Sequence, residues 1–402
     1  MIRREGLRNR FQKPISSWRF ADRRILLGST VTHFLQDILR QPAELERTIE
    51  YLRGAGQRPL AEAARAVQKA RHIYLTGIGS SWHAALTAAP LFSLGGCPVY
   101  AQDASELLQF ATIPANAVII AISRTGRSVE IVRLLTKASE CGAVVIAVTN
   151  SENGPLAQQA QIPIVVRAPL DHGISVNTYS TLAAATGALA SATVGTFNDA
   201  LADLVLLGVA ETGRLLAAWQ EQIAESSWLL PGSVCYFLGR GSSLGSCHEA
   251  RLLWEEGVKS PATAMGTGAF GHGPQEMVAK GSRFGIWIDA WRMRAPDLAV
   301  ARDLKRLGAS VMVIGQDLTG DAGDLVFRLP EMPAEWQFLI DVIPAQLAAE
   351  RLAHRSGVDC DSFRLCSYIV EDEWGLLHEN VQAAEDHEIV FSKEAAINKL
   401  DK

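Results

Sequence analysis

The chain has 402 residues, of which 48% are hydrophobic and 20% charged, a composition typical of a globular protein with a sizeable core. Its net charge of -5 gives no electrostatic match to nucleic acid or to an anionic membrane, and we expect neither as a partner. No apolar run reaches the ~18 residues of a membrane-spanning helix. Residues 1–18 are basic and lack the apolar centre of a secretory signal, so we expect a cytoplasmic protein.

The six cysteines form no CxxC pair, and no histidine cluster has the spacing of a zinc site. We therefore expect reduced thiols and no metal site.

The predicted elements begin with a helical stretch, VTHFLQDILRQPAELERTIEYLRG, at residues 31–54. Short β-branched runs then alternate with helical patterns, from HIYLTG at residues 72–77 to AVVIAVTN at residues 143–150. This alternation is typical of βαβ units and of a parallel sheet that is covered on both faces.

The same pattern returns in the second half of the chain. IYLTGIGSSWHAA at residues 73–85 is similar to CYFLGRGSSLGSC at residues 235–247. CGAVVIAVTN at residues 141–150 is similar to LGASVMVIGQ at residues 307–316. Self-similarity of several features at a nearly fixed offset indicates an internal duplication.

The duplication predicts an α/β protein with two tandem, doubly wound parallel-sheet domains, each a flavodoxin-like three-layer sandwich. We expect an N-terminal helical extension at residues 1–58, a first, phosphate-binding domain at 59–210, and a second domain at 220–372. A polar, mostly helical tail follows at residues 373–402.

Two turns of the first predicted domain, GIGSS and SRTGRS, carry polar side chains where a buried strand becomes a helix. These side chains belong to Ser80, Ser81, Ser123, Arg124, Thr125 and Ser128. Ligands of open α/β sheets collect at such strand ends, where helix N-termini favour anions. Simple helix capping is the alternative. Because only the first copy carries the hydroxyl cluster, we predict an anion site.

A dinucleotide site is a weaker alternative. GIGSSW matches only half of the GxGxxG pattern, because Trp82 replaces its third glycine. We therefore expect no nicotinamide cofactor, and no other cofactor is predicted.

Together these motifs resemble the double SIS-domain (sugar isomerase) family over residues of about 30–370. The closest resemblance is to the isomerase half of glutamine–fructose-6-phosphate aminotransferase and to the deglycases of fructosamine phosphates. GRGSS…EARLLWEEGVKSPATAMGTGAFGHGP is similar to the family's catalytic stretch, SRTGRS to its phosphate loop, and GVDCDSFRLCSY to its C-terminal segment. The resemblance implies a sugar-phosphate ligand and a homodimer with active sites at the interface.

The resemblance also implies site residues. Glu256 falls on the family's catalytic glutamate, His272 on its histidine, and Glu249 on a further active-site glutamate. The hydroxyl side chains of the two turns would hold the phosphate. Ser175 and Val176 lie in a stretch similar to the loop that covers the substrate.

This sequence departs from the family pattern at several places. Leu253 replaces a lysine one turn before the catalytic glutamate, and Tyr368, which we place in the binding site, replaces a lysine that forms a Schiff base with the ketose. Arg124 takes a glutamine-like place in the phosphate loop. No segment resembles the amidotransferase half, so we expect no glutaminase activity.

The shift of a proton between C1 and C2 of a sugar needs a base near both carbons, an acid near the oxygens and an anchor for the phosphate. Glu256 suits the base, and burial beside Glu249 would raise its pKa. His272 suits ring opening or transfer of the oxygen proton, whereas we expect His83 to be structural. We predict isomerisation, deamination or deglycation of a phosphorylated amino sugar or fructosamine. A plain aldose–ketose phosphate isomerase and a non-catalytic sugar-phosphate sensor are the alternatives.

Overall fold

The structure is a computed structural model, and it describes residues 31–372. The strands are β1 (Ile73–Thr76), β2 (Tyr100–Ala101), β3 (Val118–Ser123), β4 (Val144–Thr149), β5 (Ile162–Val165), β6 (Cys235–Gly239), β7 (Ala262–Gly266), β8 (Arg283–Trp287), β9 (Ser310–Gly315) and β10 (Leu325–Arg328). The helices are α1 (His33–Arg53), α2 (Gln57–Lys69), α3 (Ser80–Leu94), α4 (Ala104–Phe110), α5 (Val129–Cys141), α6 (Pro155–Gln159), α7 (Asn177–Thr193), α8 (Asp199–Glu225), α9 (Ser243–Leu253), α10 (Thr267–Phe270), α11 (Arg294–Arg306) and α12 (Ile343–Ser356).

The strands form two five-stranded sheets with the same order. The first sheet runs β2-β1-β3-β4-β5, and the second, read in the same direction, runs β7-β6-β8-β9-β10. All neighbouring strands are parallel, with Ile120 of β3, for example, paired to Leu75 of β1 and to Ile146 of β4. This is the doubly wound order of flavodoxin-like sheets. The predicted α/β class and the two parallel sheets are confirmed.

The central strands show why these segments form parallel sheets. β3 (VIIAIS) is buried at every position, and β4 (VVIAVT) at every position after its first residue. Helices cover both faces of such a sheet, so its strands need β-branched and apolar side chains at successive positions rather than alternating ones.

The two sheets share one hydrophobic core. A single cluster joins Ile120 and Val148 of the first sheet to Phe237 and Ile314 of the second. Separate, smaller clusters cover the opposite face of each sheet. The helices between the sheets therefore belong to both halves of the molecule.

Two helices do not follow the domain boundaries expected from the sequence. α1 lies in the predicted N-terminal extension, yet Ile38, Leu45 and Ile49 are fully buried in the shared core. α8 runs unbroken through the predicted boundary between residues 210 and 220. Both helices have apolar faces that pack into the shared core. Domain boundaries inferred from sequence composition do not show that these helices belong to it. Residues 1–30 and the predicted tail at 373–402 lie outside the described residues.

Between residues 31 and 372, no helix combines the length and apolarity that crossing a membrane requires.

α3 of the first half crosses α9 of the second half at close range. A Cβ atom added to Gly245 of α9 would stand 2.5 Å from the carbonyl oxygen of His83 and 3.0 Å from the amide nitrogen of Thr87, both on α3. Real Cβ atoms do not come so near to backbone atoms, so glycine is needed here. The crossing brings Ser80 and His83 of α3 beside Glu249 of α9.

Gly245→Ala is expected to destabilise the protein. The added methyl group meets backbone atoms that cannot move aside, and overpacking of this kind costs about 1–3 kcal/mol. Gly213→Ala in α8 is the matched control, because its Cβ would lie 3.5 Å from the Cβ atom of Pro42, in ordinary contact. That control should gain about 0.5–1 kcal/mol from helix propensity. Denaturant unfolding measures both free energies, and equal values for the two variants would contradict the tight crossing.

Candidate active site

One cavity lies at the carboxyl ends of β1 and β3, where doubly wound sheets bind ligands. Its volume is about 240 Å³. The residues predicted from the sequence that line it are Ser80, Ser81, Ser123, Arg124, Thr125, Ser128, Ser175, Glu256 and Tyr368. The cavity thus brings together two turns of the first half, one turn of the second half and the C-terminal segment.

The SRTGRS turn is held in shape by its own hydroxyl groups. The amide of Gly126 donates to Ser123 Oγ at 3.1 Å, and the amide of Arg127 donates to Thr125 Oγ1 at 3.2 Å. Gly126 has a φ of 68°, and a Cβ there would lie 2.6 Å from the Cβ of Leu156. The position therefore needs glycine on both conformational and steric grounds.

Capping does not account for the hydroxyl cluster. The N-cap residues of α3 and α5 are Gly79 and Ser128, and neither makes a side-chain capping hydrogen bond. Both helices begin at the cavity with their N-terminal amides and positive dipole ends. This arrangement suits an anion.

Arg124 connects the same turn to the C-terminal segment. Its guanidinium carbon lies 3.9 Å from the centre of the Tyr368 ring, and Nη2 donates to the Tyr368 carbonyl oxygen at 2.9 Å. The Tyr368 hydroxyl donates to the carbonyl oxygen of Asp171 at 2.9 Å. Tyr368 thus forms part of the cavity wall, with its ring stacked under a cation.

Glu256 comes from a π-helical turn, Trp254–Val258, that continues α9. Such turns widen a helix locally and are frequent at functional sites. Glu256 lines the cavity, and burial raises its pKa to about 7, with a further increase from the neighbouring Glu249 carboxyl. The positive charges of Arg124 and Lys259 act against this rise.

Glu249 lies behind the cavity wall rather than in it. It is 0% exposed, accepts a hydrogen bond from Ser80 Oγ at 3.0 Å, and lies 2.7 Å from Nδ1 of His83. Burial raises the pKa of Glu249 to about 8 and lowers that of His83 to about 3. Burial thus disfavours the charged form of both groups.

Two further predicted residues lie away from the cavity. His272 is exposed in the loop after α10, next to the edge strand β7 of the second sheet. Val176 is buried, and its amide donates to Oδ2 of Asp171 at 3.1 Å. Within one chain, neither of them joins Glu256.

Sequence reasoning missed most of one cavity wall. The further lining residues are Ile78, Gly79, Glu130, Gly173, Leu252, Phe363, Cys366, Ser367, Ile369 and Val370. The only signal for the C-terminal ones was the resemblance of GVDCDSFRLCSY, from which we selected Tyr368 alone. In the part of the chain that the structure describes, no lysine lines this cavity.

Among residues 31–372, no three His, Cys, Asp or Glu side chains are grouped so that they could hold a metal ion.

Comparison with known proteins finds a family match for part of the chain. Residues 66–192 match the model of the SIS domain. This part of the chain is similar to SIS domains. The chain is also 26% identical over 354 residues to a glutamine–fructose-6-phosphate aminotransferase (isomerizing) from Pyrobaculum aerophilum, a match that covers 83% of this chain and 56% of that protein. The chain thus spans little more than half the length of the curated relatives it matches, and it is homologous to their isomerase part.

Solved structures show the same fold. The C-terminal domain of glucosamine-fructose-6-phosphate aminotransferase from Francisella tularensis matches with a TM-score of 0.73 at 19% identity, over 83% of this chain and 99% of that one. A glucosamine-6-phosphate deaminase from Thermotoga maritima matches with a TM-score of 0.71 at 20% identity, over 84% and 99%. At these identities the likeness concerns the fold.

A further buried carboxyl lies just before α12. Asp341 is fully buried, and Oδ2 accepts a hydrogen bond from Ser243 Oγ at 2.6 Å. Burial raises the pKa of Asp341 to about 7 from an ordinary value of 3.8. Between these two pH values the folded chain holds a proton that the unfolded chain has released, so the free energy of unfolding falls as pH rises.

Asp341→Asn is expected to flatten the pH dependence of stability. Asparagine keeps an oxygen acceptor for Ser243 but does not titrate, so the variant should lose less stability than the wild type between pH 4 and pH 7. Denaturant unfolding across this range measures the slope. Asp303→Asn is the control, because that side chain is 66% exposed. A slope unchanged in Asp341→Asn would contradict the raised pKa.

Proposed function

We propose that this protein is an enzyme acting on a phosphorylated sugar or amino sugar, with Glu256 as the base that moves a proton between C1 and C2. The observation that carries the proposal is that the Glu256 carboxyl shares one cavity with the hydroxyl-lined turns at two helix N-termini. A phosphate anchor and a base are the two elements that the reaction requires.

The anchor is assigned to Ser81, Ser123, Thr125 and Ser128 with Arg124. Hydroxyl and amide donors at helix N-termini bind phosphate oxygens, and a guanidinium adds a fixed positive charge. Holding the phosphate places the sugar carbons at one position, so the later proton transfer is effectively intramolecular.

Glu256 suits a reversible proton transfer near neutral pH. With a pKa of about 7, a substantial fraction of the carboxyl is ionised and able to remove a proton from carbon. The protonated carboxyl then returns the proton to the adjacent carbon through an enediol or enolamine.

The class of reaction follows from the cavity wall and from the names of the relatives. Those relatives are named as an aminotransferase and a deaminase of sugar phosphates. Tyr368 stands where the resemblance expects a Schiff-base lysine, and it cannot form an imine. We propose isomerisation, deglycation or deamination of a substrate that already carries its amine, without glutaminase activity. A plain aldose–ketose isomerase is the second candidate, because the described cavity wall has no lysine.

The assembly is part of the same proposal. We propose that residues 220–372 are a second domain of the SIS type, because β6–β10 repeat the strand order of β1–β5. The chain would form a homodimer in which the partner subunit supplies its His272 to the cavity. The exposed position of His272 beside an edge strand supports this role.

Glu256→Gln is expected to abolish exchange of the C1 or C2 proton. Proton NMR in D₂O follows exchange for fructose 6-phosphate, glucosamine 6-phosphate and a fructosamine 6-phosphate. Removing a general base costs about 10²–10⁴-fold in rate, and phosphate binding should remain. Glu255→Gln is the control, because Glu255 pairs with Arg251 at 2.8 Å and does not line the cavity.

The substrates that exchange decide among the candidate functions. Fastest exchange with an amine-bearing sugar supports the first candidate, and exchange with fructose 6-phosphate alone supports the plain isomerase. Binding without any exchange in the wild type would contradict an enzyme and leave the sensor.

The exchange rate is expected to rise with pH through about 7, because only ionised Glu256 removes a proton. Arg124→Gln removes a positive charge that lowers the pKa of Glu256, so the midpoint should move to higher pH. Rates at saturating substrate separate this effect from weaker phosphate binding. A midpoint that moves to lower pH would contradict the assignment of Glu256.

A further inference from the structure

A line of three side chains leads from the cavity into the buried α3–α9 crossing. Ser80 lines the cavity, and its Oγ donates to Oε1 of Glu249 at 3.0 Å. Oε2 of Glu249 lies 2.7 Å from Nδ1 of His83. Glu249 is 0% exposed and His83 3% exposed, and the Ser80 hydroxyl connects this buried pair to the cavity.

We propose that His83 is a positioning residue, which through Glu249 holds the Ser80 hydroxyl so that its oxygen accepts a hydrogen bond from a hydroxyl group of the bound sugar. The inference rests on the proposed sugar-phosphate ligand, and it gives Ser80 a role different from that of the neighbouring serines.

The direction of the hydrogen bonds follows from geometry. The Ser80 hydroxyl donates to Oε1 of Glu249, so its hydrogen is directed away from the cavity. Oε2 of Glu249 lies 2.7 Å from Nδ1 of His83, and this contact fixes the orientation of the carboxyl group. Whether the proton between Oε2 and Nδ1 is on the carboxyl or on the imidazole, Oε1 is left to accept the Ser80 proton.

The direction of the Ser80–Glu249 hydrogen bond determines what Ser80 can bind. A serine hydroxyl has one hydrogen, and here it is directed to Glu249, so only acceptor lone pairs remain for the cavity. The phosphate group of a sugar phosphate is mostly a dianion at neutral pH, so its free oxygens are acceptors and gain nothing from such a partner. A sugar hydroxyl is a donor and fits it. Ser80 would thus distinguish a polyol chain from a bare phosphate.

Calorimetric binding of fructose 6-phosphate and of inorganic phosphate tests the inference. His83→Leu removes the Nδ1 partner while filling similar space, so Glu249 no longer orients Ser80. We expect affinity for fructose 6-phosphate to fall about five- to tenfold, the equivalent of one neutral hydrogen bond. Affinity for inorganic phosphate should stay within about twofold, because the SRTGRS turn is untouched.

Two variants serve as controls. His83→Asn keeps a polar atom near the position of Nδ1 and should recover most of the sugar affinity. His248→Leu removes a ring 5.8 Å from the ring of His83 that lies outside the Ser80–Glu249–His83 line, and it should behave as the wild type. If His83→Leu does not fold, His83→Gln takes its place in the same comparison. Its amide lies one bond further along the side chain than that of His83→Asn.

A double-mutant cycle adds the sharpest test. Because His83 acts through Ser80, His83→Leu should cost no further sugar affinity in a Ser80→Ala background. Additive losses, equal losses for the sugar and for inorganic phosphate, or no loss at all would each overturn the inference.

Failure of the proposed function gives a different result. A wild type that binds fructose 6-phosphate with this selectivity but exchanges no C1 or C2 proton contradicts the enzyme and leaves the positioning role standing. A wild type that exchanges protons while His83→Leu keeps full sugar selectivity contradicts only the positioning role.

Discussion

The contact between α3 and α9 is the constraint on which the rest of the structure depends. Gly245 lets the two helix backbones meet, and the shared core forms around them. The same contact places Ser80 of the first half against Glu249 of the second. The GIGSS turn and the helix that carries Glu249 therefore meet because α3 of the first half crosses α9 of the second. Each half alone would hold an incomplete cavity.

Burial of carboxyl groups affects both the stability of this molecule and the pKa values in its cavity. Glu249, Glu256 and Asp341 all have pKa values raised by burial. In Glu256 this rise brings the pKa of a cavity carboxyl to about 7, and in Glu249 it disfavours the charged form of a carboxyl that contacts both Ser80 and His83. Each of these carboxyls lowers the stability of the folded state as pH rises, which is a common cost of functional sites.

Much of the fold could be predicted from the sequence, because strands covered on both faces leave unbroken β-branched runs and because the pattern occurs twice. The SRTGRS turn was also predictable, since hydroxyl groups cluster in only one of the two copies. The boundaries at residues 58 and 210–220 were not, because α1 and α8 contribute apolar faces to a core that only the folded chain reveals. His83 was expected to be structural, since no local pattern shows that its partner lies on another helix. His272 was placed by resemblance alone, and such a placement carries no information about distance within one chain.

The C-terminal wall of the cavity is the last of its parts to be synthesised. Residues 363–370 attach to much earlier parts of the chain. The Tyr368 hydroxyl donates to the carbonyl oxygen of Asp171, 197 residues before it, and the Val129 amide donates to the Val370 carbonyl oxygen. During synthesis both sheets leave the ribosome before this wall does. The nascent protein can therefore bury most of its core while this cavity is still open on one side.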